Sequence, residues 1–600
     1  MQTASGVRWA RHTASRERVA ARAAAWAAAL LYAAPIGAFV VLAYQRRWVA
    51  EDAFIDFRVV QQLLEGHGPV FNALERVEAY SNPLWVALLT VWAWAGLPLE
   101  AGSVVLGLTL SATGLVCGTL GALHLARRWT GRERSGVLLV PLGALVYAAL
   151  PPAWDFATSG LETGLSLAWM GASFCAVLKA DTSRPSRLYP VATLVGLGAL
   201  VRPDLGIFSL GFAVMLGLSL LSHARGGSRL PRMLLLLAAG GALPVLYQVF
   251  RMGYFAALVP NTAIVKQAGG EYWAQGVLYL LDFVLVHDLL LPLIPLAGWM
   301  VGWLIPVVRA RDWRTATLFV TLPVCGVLHA TYVVRIGGDF MHARMLLPSL
   351  FGLLLPVLVL AVPRRPARRW LVRAGVLVPC VWALAIGPRS APFYEGAIDL
   401  LMGIADERGV YVTLSGQANP ITPSEHAANW MARDGRRLLE TAEAQPGVVL
   451  ILVDDAARLH PLVAYPLQPA VAAQVHLVAA AGSIGLTGYI AGTQVHLVDR
   501  LGLADPIASR LVVENRGRPG HEKRLPDAWT LGRFSEDESA SSLAAADALR
   551  CGRLAELMAA VQEPMTVSRF LRNIQLAPRL TALQVPADPV AARAEFCGGG

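Results

Sequence analysis

The chain has 600 residues, of which 55% are hydrophobic and only 15% charged, whereas a soluble domain carries about 25% charged residues. Its mean hydropathy is +0.51 and its formal net charge +10. These values exclude a soluble enzyme, a disordered scaffold, a coiled coil and a disulfide-dense secreted domain, and apolar runs recurring from Trp26 to Ile386 place most of the chain in a bilayer.

The charge divides the chain in two. Residues 1–388 hold 32 Lys and Arg against 18 Asp and Glu, and residues 389–600 hold 19 against 23. A basic membrane region (1–388) therefore precedes a mildly acidic soluble region (389–600). A pI near 9.5 suits nucleic acid in a soluble protein. Here the arginines sit in short turns between apolar runs, as the positive-inside rule requires, so no nucleic-acid partner is expected.

Those turns are Arg8 to Arg22, Arg127 to Arg134, Lys179 to Arg187, Arg225 to Arg232, Arg309 to Arg314 and Arg364 to Arg373. Placed in the cytoplasm, they let the topology be walked. A first helix at about 24–45 leads out to a loop at 48–82. The run 135–151 exits, 162–178 returns, and 188–222 forms a hairpin bent at Arg202-Pro203-Asp204. The runs 233–255, 288–308, 315–334, 345–362 and 371–388 then alternate, leaving the C-terminal region outside. Between Ser81 and Ala126 there are two apolar runs where the charge rule needs an odd number of crossings. Either one is re-entrant or in-plane, or the turn at 127–134 breaks the rule. About 11 crossings are expected. The stretch after residue 22 is too long for a signal-peptide core.

The unusual polar residues then gather on one side. In the loop at 48–82, Phe54, Ile55, Val59, Leu63 and Leu64 have near-helical spacing, predicting an amphipathic helix on the membrane surface with Asp52 and Asp56 one turn apart. Glu51 and Asp52 follow a membrane helix directly. Acids at that depth are costly unless used, and close like charges can raise one pKa toward that of a general base, although an N-cap is the plainer role.

Further along, Asp155 to Glu162 reads as helix cap or site, and Arg202-Pro203-Asp204 as turn or site. Lys266, after RMGYFAALVPNT, reads as snorkelling lysine or phosphate ligand. In RIGGDFMHAR the two glycines permit close approach to a ligand, Arg335 and Arg344 suit a phosphate, and Asp339 pairs with an arginine or contacts substrate beside His342. Together these loops outline a cavity with carboxylates, cations and lipid-facing walls, as transfer from a lipid phosphate requires.

The C-terminal region has strand-length runs at Val448 to Val453, before Asp454-Asp455, and at Val495 to Val498. Gly/Ala-rich, helical sequence is expected from Ala479 to Gly492, giving a small α/β domain. The segment GRPGHEKRLPDAW is either a surface loop or an acceptor-binding loop. Cys551 and Cys597 lie in the expected oxidising compartment and are a candidate disulfide. Cys117, Cys175, Cys325 and Cys380 read as small core residues.

The motifs RRWVAEDAFIDFRVVQQLLEGHGPVFNALERVEAYSNPLW, PPAWDFATSGLE, LVRPD, FRMGYFAALVPNTAIVK, RIGGDFMHARMLLP, VDRLGLADP and GHEKRLPDAW occur in order along most of the chain. They resemble polytopic GT-C glycosyltransferases, and more narrowly the terminal β-(1→2)-arabinofuranosyltransferases of actinobacterial cell walls, the AftB family. The resemblance implies a decaprenyl-phosphoryl-arabinofuranose donor and an arabinan acceptor in arabinogalactan or lipoarabinomannan. It also implies a multi-pass protein of the cytoplasmic membrane, expected as a monomer, with site and C-terminal domain outside.

The family's first-loop acids are usually Asp-Asp; here Glu51 replaces the first, so the resemblance places the catalytic base on Asp52 with Glu51 in support. Candidate donor-phosphate ligands are Arg344, Arg335, Lys266 and Arg58. Candidate substrate contacts are Asp56, Glu78, Asp155, Glu162, Arg202 and Asp204, with Asn261, Asp339, His342, His521 and Lys523. No cofactor is required, and a divalent cation is left open. A transferase for another polyprenyl-phosphate sugar shares these features. A transporter would instead show ionisable residues at helix midpoints and two related repeats, and no clear repeat is found.

Overall fold

The computed structural model describes all residues except 1–21, 23–25, 131–136, 182–184, 224–228, 364–368, 388–397, 400–402, 453–460, 514–515 and 599–600. Most of the basic N-terminal segment, parts of four basic turns, the boundary expected at 389 and Asp454-Asp455 lie outside the described residues.

The membrane region opens with α1 (Trp26–Gln45), α2 (Glu51–Leu64), α3 (Pro83–Trp94) and α4 (Leu99–Thr130). It continues through β1 (Val137–Val140), α5 (Leu142–Ala148), α6 (Pro151–Phe156) and α7 (Thr163–Lys179). Then come α8 (Leu188–Gly196), α9 (Gly198–Val201), α10 (Gly206–His223), α11 (Arg229–Phe255), α12 (Asn261–Val265) and α13 (Trp273–Val286). It closes with α14 (Leu290–Arg309), α15 (Trp313–Arg335), α16 (Leu347–Leu354), β2 (Leu360–Pro363) and α17 (Arg369–Ile386). Among the described residues six helices are long and apolar enough to cross a bilayer, and five apolar segments are shorter.

Several expectations change here. The run 135–151 is not one helix: β1 pairs antiparallel with β2 from Val137–Pro363 to Val140–Leu360, and α5 follows. Pairing β1 with β2 satisfies backbone groups that an unbroken helix would otherwise bond internally. Between Ser81 and Ala126, α3 has 12 residues, a length of ~18 Å against a hydrocarbon core of ~30 Å. The 32-residue α4 is long enough. Residues 188–222 fold back at Arg202-Pro203, where α8 and α10 pack together and Ser209 Oγ donates to the Val195 carbonyl at 2.9 Å.

The soluble region holds β3 (Ile398–Asp399), β4 (Ile404–Ala405), α18 (Glu407–Ser415), α19 (Trp430–Ala444), β5 (Val448–Leu452), β6 (Pro461–Pro466), α20 (Pro469–Ala472), β7 (Leu477–Ala481), α21 (Gly485–Ala491) and β8 (Val495–Asp499). Five helices end the chain: α22 (Asp527–Phe534), α23 (Ala540–Ala548), α24 (Gly552–Gln562), α25 (Val567–Thr581) and α26 (Pro589–Cys597). The sheet order is β6-β5-β7-β8, with β5, β7 and β8 parallel and β6 antiparallel. Ala479 to Ala481 thus belong to a fully buried strand, and helix begins only at Gly485. Small side chains suit a strand covered on both faces, so an Ala-rich run is ambiguous between strand and helix. Cys551 and Cys597 are disulfide-bonded, Cα to Cα 5.2 Å.

The α2 helix forms where the apolar spacing placed it, but it does not lie on a surface. Nine of its residues are buried, and it packs on α3 from one region and α21 from the other. Arg58 lies inside this contact, fully buried. Its guanidinium donates to the carbonyls of Phe71 (2.9 Å), Gly492 (2.9 Å) and Val495 (2.6 Å), and to that of Gly488. Its donors are taken by backbone and by Asn72 Oδ1, so Arg58 is a clamp between the two regions and not a ligand of a donor phosphate.

Replacing Arg58 with Met removes four buried hydrogen bonds to carbonyls, although those of Phe71, Gly488 and Gly492 each keep a second donor, and at ~0.5–1.5 kcal/mol net per bond it costs about 2 kcal/mol or more. Thermal unfolding in detergent is expected to show a lowered midpoint for Arg58→Met. The same change at Arg335, half-exposed at 42%, is expected to leave the midpoint unchanged.

Candidate functional site

Consecutive residues on a helix point about 100° apart, and this separates Glu51 from Asp52 at the start of α2. Glu51 turns to the C-terminal domain, where its carboxylate accepts the amide N–H of Gly485 at the start of α21. Asp52 turns into a cavity of about 620 Å³ bounded by both regions. Its side chain is 24% exposed, and Arg344 Nη1 lies 3.8 Å from its carboxylate. One turn on, Asp56 lines the same cavity and accepts from Asn82 Nδ2 at 2.9 Å.

Arg344 is the hub of the charges. It lies 3.4 Å from Glu162, at the start of α7, and 3.7 Å from Asp339. Lys266, just past α12, approaches Asp339 at 3.3 Å, so that carboxylate lies between two cations. On the next wall Arg202 grips Asp204 through two hydrogen bonds, 3.0 and 2.6 Å, and reaches Glu162 at 3.5 Å. The bend at Arg202-Pro203-Asp204 is thus both a turn and part of the lining.

The soluble domain supplies the remaining wall. Glu407, Tyr411 and Leu414 present one face of α18, and Trp430 begins α19. Residues after the carboxyl ends of parallel strands β7 and β8, Ser483 and Leu503 among them, also line the cavity. That edge of an open α/β sheet is where ligands bind in general. From the GRPGHEKR segment come Arg518, 3.6 Å from Glu407, and His521. The Phe340 ring joins the two regions: Arg518 lies 4.6 Å and Lys266 5.7 Å from its centroid, and the His521 ring meets it edge-on at 5.0 Å.

Burial sets the protonation states. It pushes the carboxyls of Glu51, Asp56 and Glu407 up to about 8. Asp52 is also raised by burial, against the pull of Arg344 and Lys266. For Asp339 burial acts upward too, but Lys266 and Arg344 outweigh it and hold the carboxyl below its ordinary value. Burial lowers the His521 imidazole to about 4, so this ring is neutral near pH 7.

The structure brings together Asp52, Glu51, Arg344, Lys266 and Asp56 with Glu162, Arg202, Asp204, Asp339 and His521. It places seven other candidates elsewhere. Arg335 is half-exposed beside Glu271. Glu78 is bound by Arg251 at 2.6 Å and Tyr247 at 2.7 Å. Asp155 is bound by Arg46 at 2.7 Å, with Arg408 at 3.9 Å. Asn261 donates to the carbonyls of Gly502 and Leu503, and buried Lys523 donates to that of Ser509. His342 is bonded to Asp282 at 2.5 Å and His287 at 2.8 Å. Arg58 is the clamp described above. The glycines of RIGGD admit protein rather than ligand: a Cβ on Gly338 would lie 2.4 Å from the Tyr279 ring.

Glu407, Arg518, Tyr411 and Trp430 were not anticipated. Arg518 lies in a segment whose polar, glycine-punctuated pattern did signal a site, whereas Glu407 carries no local signal. Among the described residues no group of three or more His, Cys, Asp and Glu is arranged to hold a metal ion.

Known proteins resemble this chain along most of its length. Residues 467–594 match the family described as the AftB family C-terminal domain. A protein of Mycobacterium tuberculosis named terminal β-(1→2)-arabinofuranosyltransferase is 34% identical over 604 residues, covering 91% of this chain and 93% of that protein. One of the same name from Corynebacterium glutamicum is 32% identical over 610 residues, covering 89% and 82%. Among solved structures, ArnT from Cupriavidus metallidurans bound to undecaprenyl phosphate matches with a TM-score of 0.41 and 16% identity, over 79% of this chain and 90% of that one.

An acid whose folded pKa is raised above its unfolded value stabilises the fold at low pH and loses that contribution as pH rises through the folded pKa. The unfolding midpoint is therefore expected to fall as pH rises from about 4 to about 8 and to level off above that. Asp56→Asn is expected to flatten part of that slope, and an unchanged slope would show that Asp56 ionises in the folded state as it does in water.

Proposed function

The chain belongs to the family of terminal β-(1→2)-arabinofuranosyltransferases, and on that footing we propose that its cavity carries the transfer, with Asp52 as general base and Arg344, Lys266 and Arg518 as ligands of the donor phosphate. The protein is a membrane glycosyltransferase that takes a lipid-linked sugar donor and a glycan acceptor. The donor in this reading is decaprenyl-phosphoryl-arabinofuranose, and the acceptor an arabinan chain of arabinogalactan or lipoarabinomannan. The enzyme acts as a monomer in the cytoplasmic membrane, with cavity and C-terminal domain on the extracytoplasmic side, as the basic turns argue.

The observation that carries this reading is the meeting of Asp52 and Arg344 at 3.8 Å in one cavity, with Lys266 and Arg518 around it. The acceptor hydroxyl attacks the anomeric carbon while Asp52 takes its proton. The bond to the phosphate oxygen breaks, and the charge left on the phosphate falls to the guanidinium and ammonium groups. Burial raises the Asp52 carboxyl toward neutrality, where a base is more effective. The neighbouring Arg344 and Lys266 oppose that rise. Tyr411 and Trp430 offer aromatic faces to the acceptor sugars.

The test is turnover of decaprenyl-phosphoryl-arabinofuranose with a synthetic arabinan acceptor. Asp52→Asn is expected to lose at least about 100-fold in kcat, the scale of general-base catalysis. Arg344→Gln and Arg518→Gln are expected to raise the donor KM, while Arg335→Gln stays at the wild-type value. Equal activity of Asp52→Asn and wild type would remove Asp52 from the mechanism. Turnover of a polyprenyl-phosphate hexose in place of the arabinose donor would overturn the sugar assignment.

A further inference from the structure

We propose that α25 anchors the C-terminal domain in the membrane surface, its exposed apolar stripe sunk into the headgroup–acyl boundary of the bilayer that holds α11. In α25, Val567, Leu571, Ile574 and Pro578 follow one another at steps of 4, 3 and 4 residues, which aligns them along one side of the helix. Val567 is 78% and Leu571 55% exposed. The other side, with Asn573, Leu576, Ala577 and Leu580, is buried in the domain. A helix with one face in the core and an aliphatic stripe on the opposite face is not fully accounted for by the domain's own packing.

Its position identifies what covers that stripe. The α25 helix packs across the end of α11. Phe570 lies where any Cβ on Gly253 would stand, 2.2 Å from its ring, and Asn573 Nδ2 donates to the Gly253 carbonyl at 3.0 Å. Thr581 Oγ1 accepts from the Leu258 amide at 2.8 Å. The helix spanning Leu230–Phe255 is apolar over 26 residues, with only 6% of its most apolar window buried in protein, so away from its contact with α8 its surface is suited to lipid. Leu246 and Val249, 65% and 43% exposed, carry that lipid-facing surface to within one turn of Gly253. Leu258 and Val259, each 37% exposed, lie just beyond, and the α25 stripe continues the same surface.

The charges beside the stripe suit the same level. Arg572 and Arg579 reach Glu556, and Arg569 pairs with Glu563. Two carboxylates offset two of these three positive charges, so the attachment rests on apolar insertion more than on attraction to anionic lipid. Such an anchor fixes the height of the C-terminal domain above the bilayer. This inference does not depend on which sugar the enzyme transfers.

The test uses the full chain in vesicles of phosphatidylethanolamine and phosphatidylglycerol, with Cys117, Cys175, Cys325 and Cys380 replaced by Ala and the disulfide kept. A nitroxide is attached at Val567→Cys, at Leu571→Cys or, as a reference, at Leu543→Cys on α23, which packs on α22 and α26 and is 48% exposed. At 567 and 571, relaxation by oxygen is expected to exceed relaxation by a water-soluble nickel chelate, with the order reversed at 543 and no change at high salt. A water-like signal at 567 and 571 would overturn the proposal, as would shielding from both reagents, which marks a protein contact. Hydroxyl-radical footprinting of the unsubstituted protein gives an independent reading. The peptide holding residues 567–578 is expected to be protected in vesicles relative to the C-terminal domain's other exposed helices, and equal labelling would contradict the anchor.

Discussion

The site depends on a single helix being held from both sides. The acids of α2 begin where the membrane region meets the soluble domain, and the 100° between consecutive helical side chains gives them different partners. Glu51 is fixed to the backbone of α21, while Asp52 is left facing the cavity. Two residues before α2, the Val49 amide donates to the Pro420 carbonyl, and the next amide, Ala50, donates to the Ser159 carbonyl. Seven residues after Glu51, Arg58 ties the helix to the carbonyls around α21 and β8. The orientation of Asp52 is therefore set by both regions at once, and separating them would release the acid as well as open the cavity.

The cavity's charges make sense once protonation is included. Seven acids line it against Arg202, Lys266, Arg344 and Arg518. All seven ionised would give a surplus of negative charge hostile to a phosphate. Burial pushes Glu51, Asp56 and Glu407 up to about 8, so these three add little negative charge near neutral pH, while Lys266 and Arg344 hold Asp339 below its ordinary value. The bound anion then meets a cation-lined pocket with less negative charge than its seven acids alone suggest. The price is a site whose stability falls as pH rises toward about 8.

Much of this was legible in the sequence, for identifiable reasons. Apolar spacing located α2, the charge-rich loops located Arg344, Lys266, Asp339 and Glu162, and a Pro between polar residues located the bend at Arg202. These are local signals. What the sequence hid is not local. An arginine beside two acids looks the same whether it meets phosphate or four carbonyls, and three of the four carbonyls that Arg58 meets lie more than 400 residues away. Gly337 and Gly338 signal close approach but not by what, and here tyrosine rings fill the space. Residues 135–151 have the composition of a crossing helix, yet β1 finds its partner at 360–363. Glu407 enters the site only because the soluble domain docks on the membrane helices.

The most direct measurement is an experimental structure of the protein with a non-transferable decaprenyl-phosphoryl-arabinofuranose analogue. The phosphate is expected in contact with Arg344 and Lys266, near Arg518, with the anomeric carbon facing the side of the cavity that Asp52 occupies. A phosphate bound beside Arg335, or a sugar whose anomeric carbon lies beyond reach of Asp52 through an acceptor hydroxyl, would contradict the account.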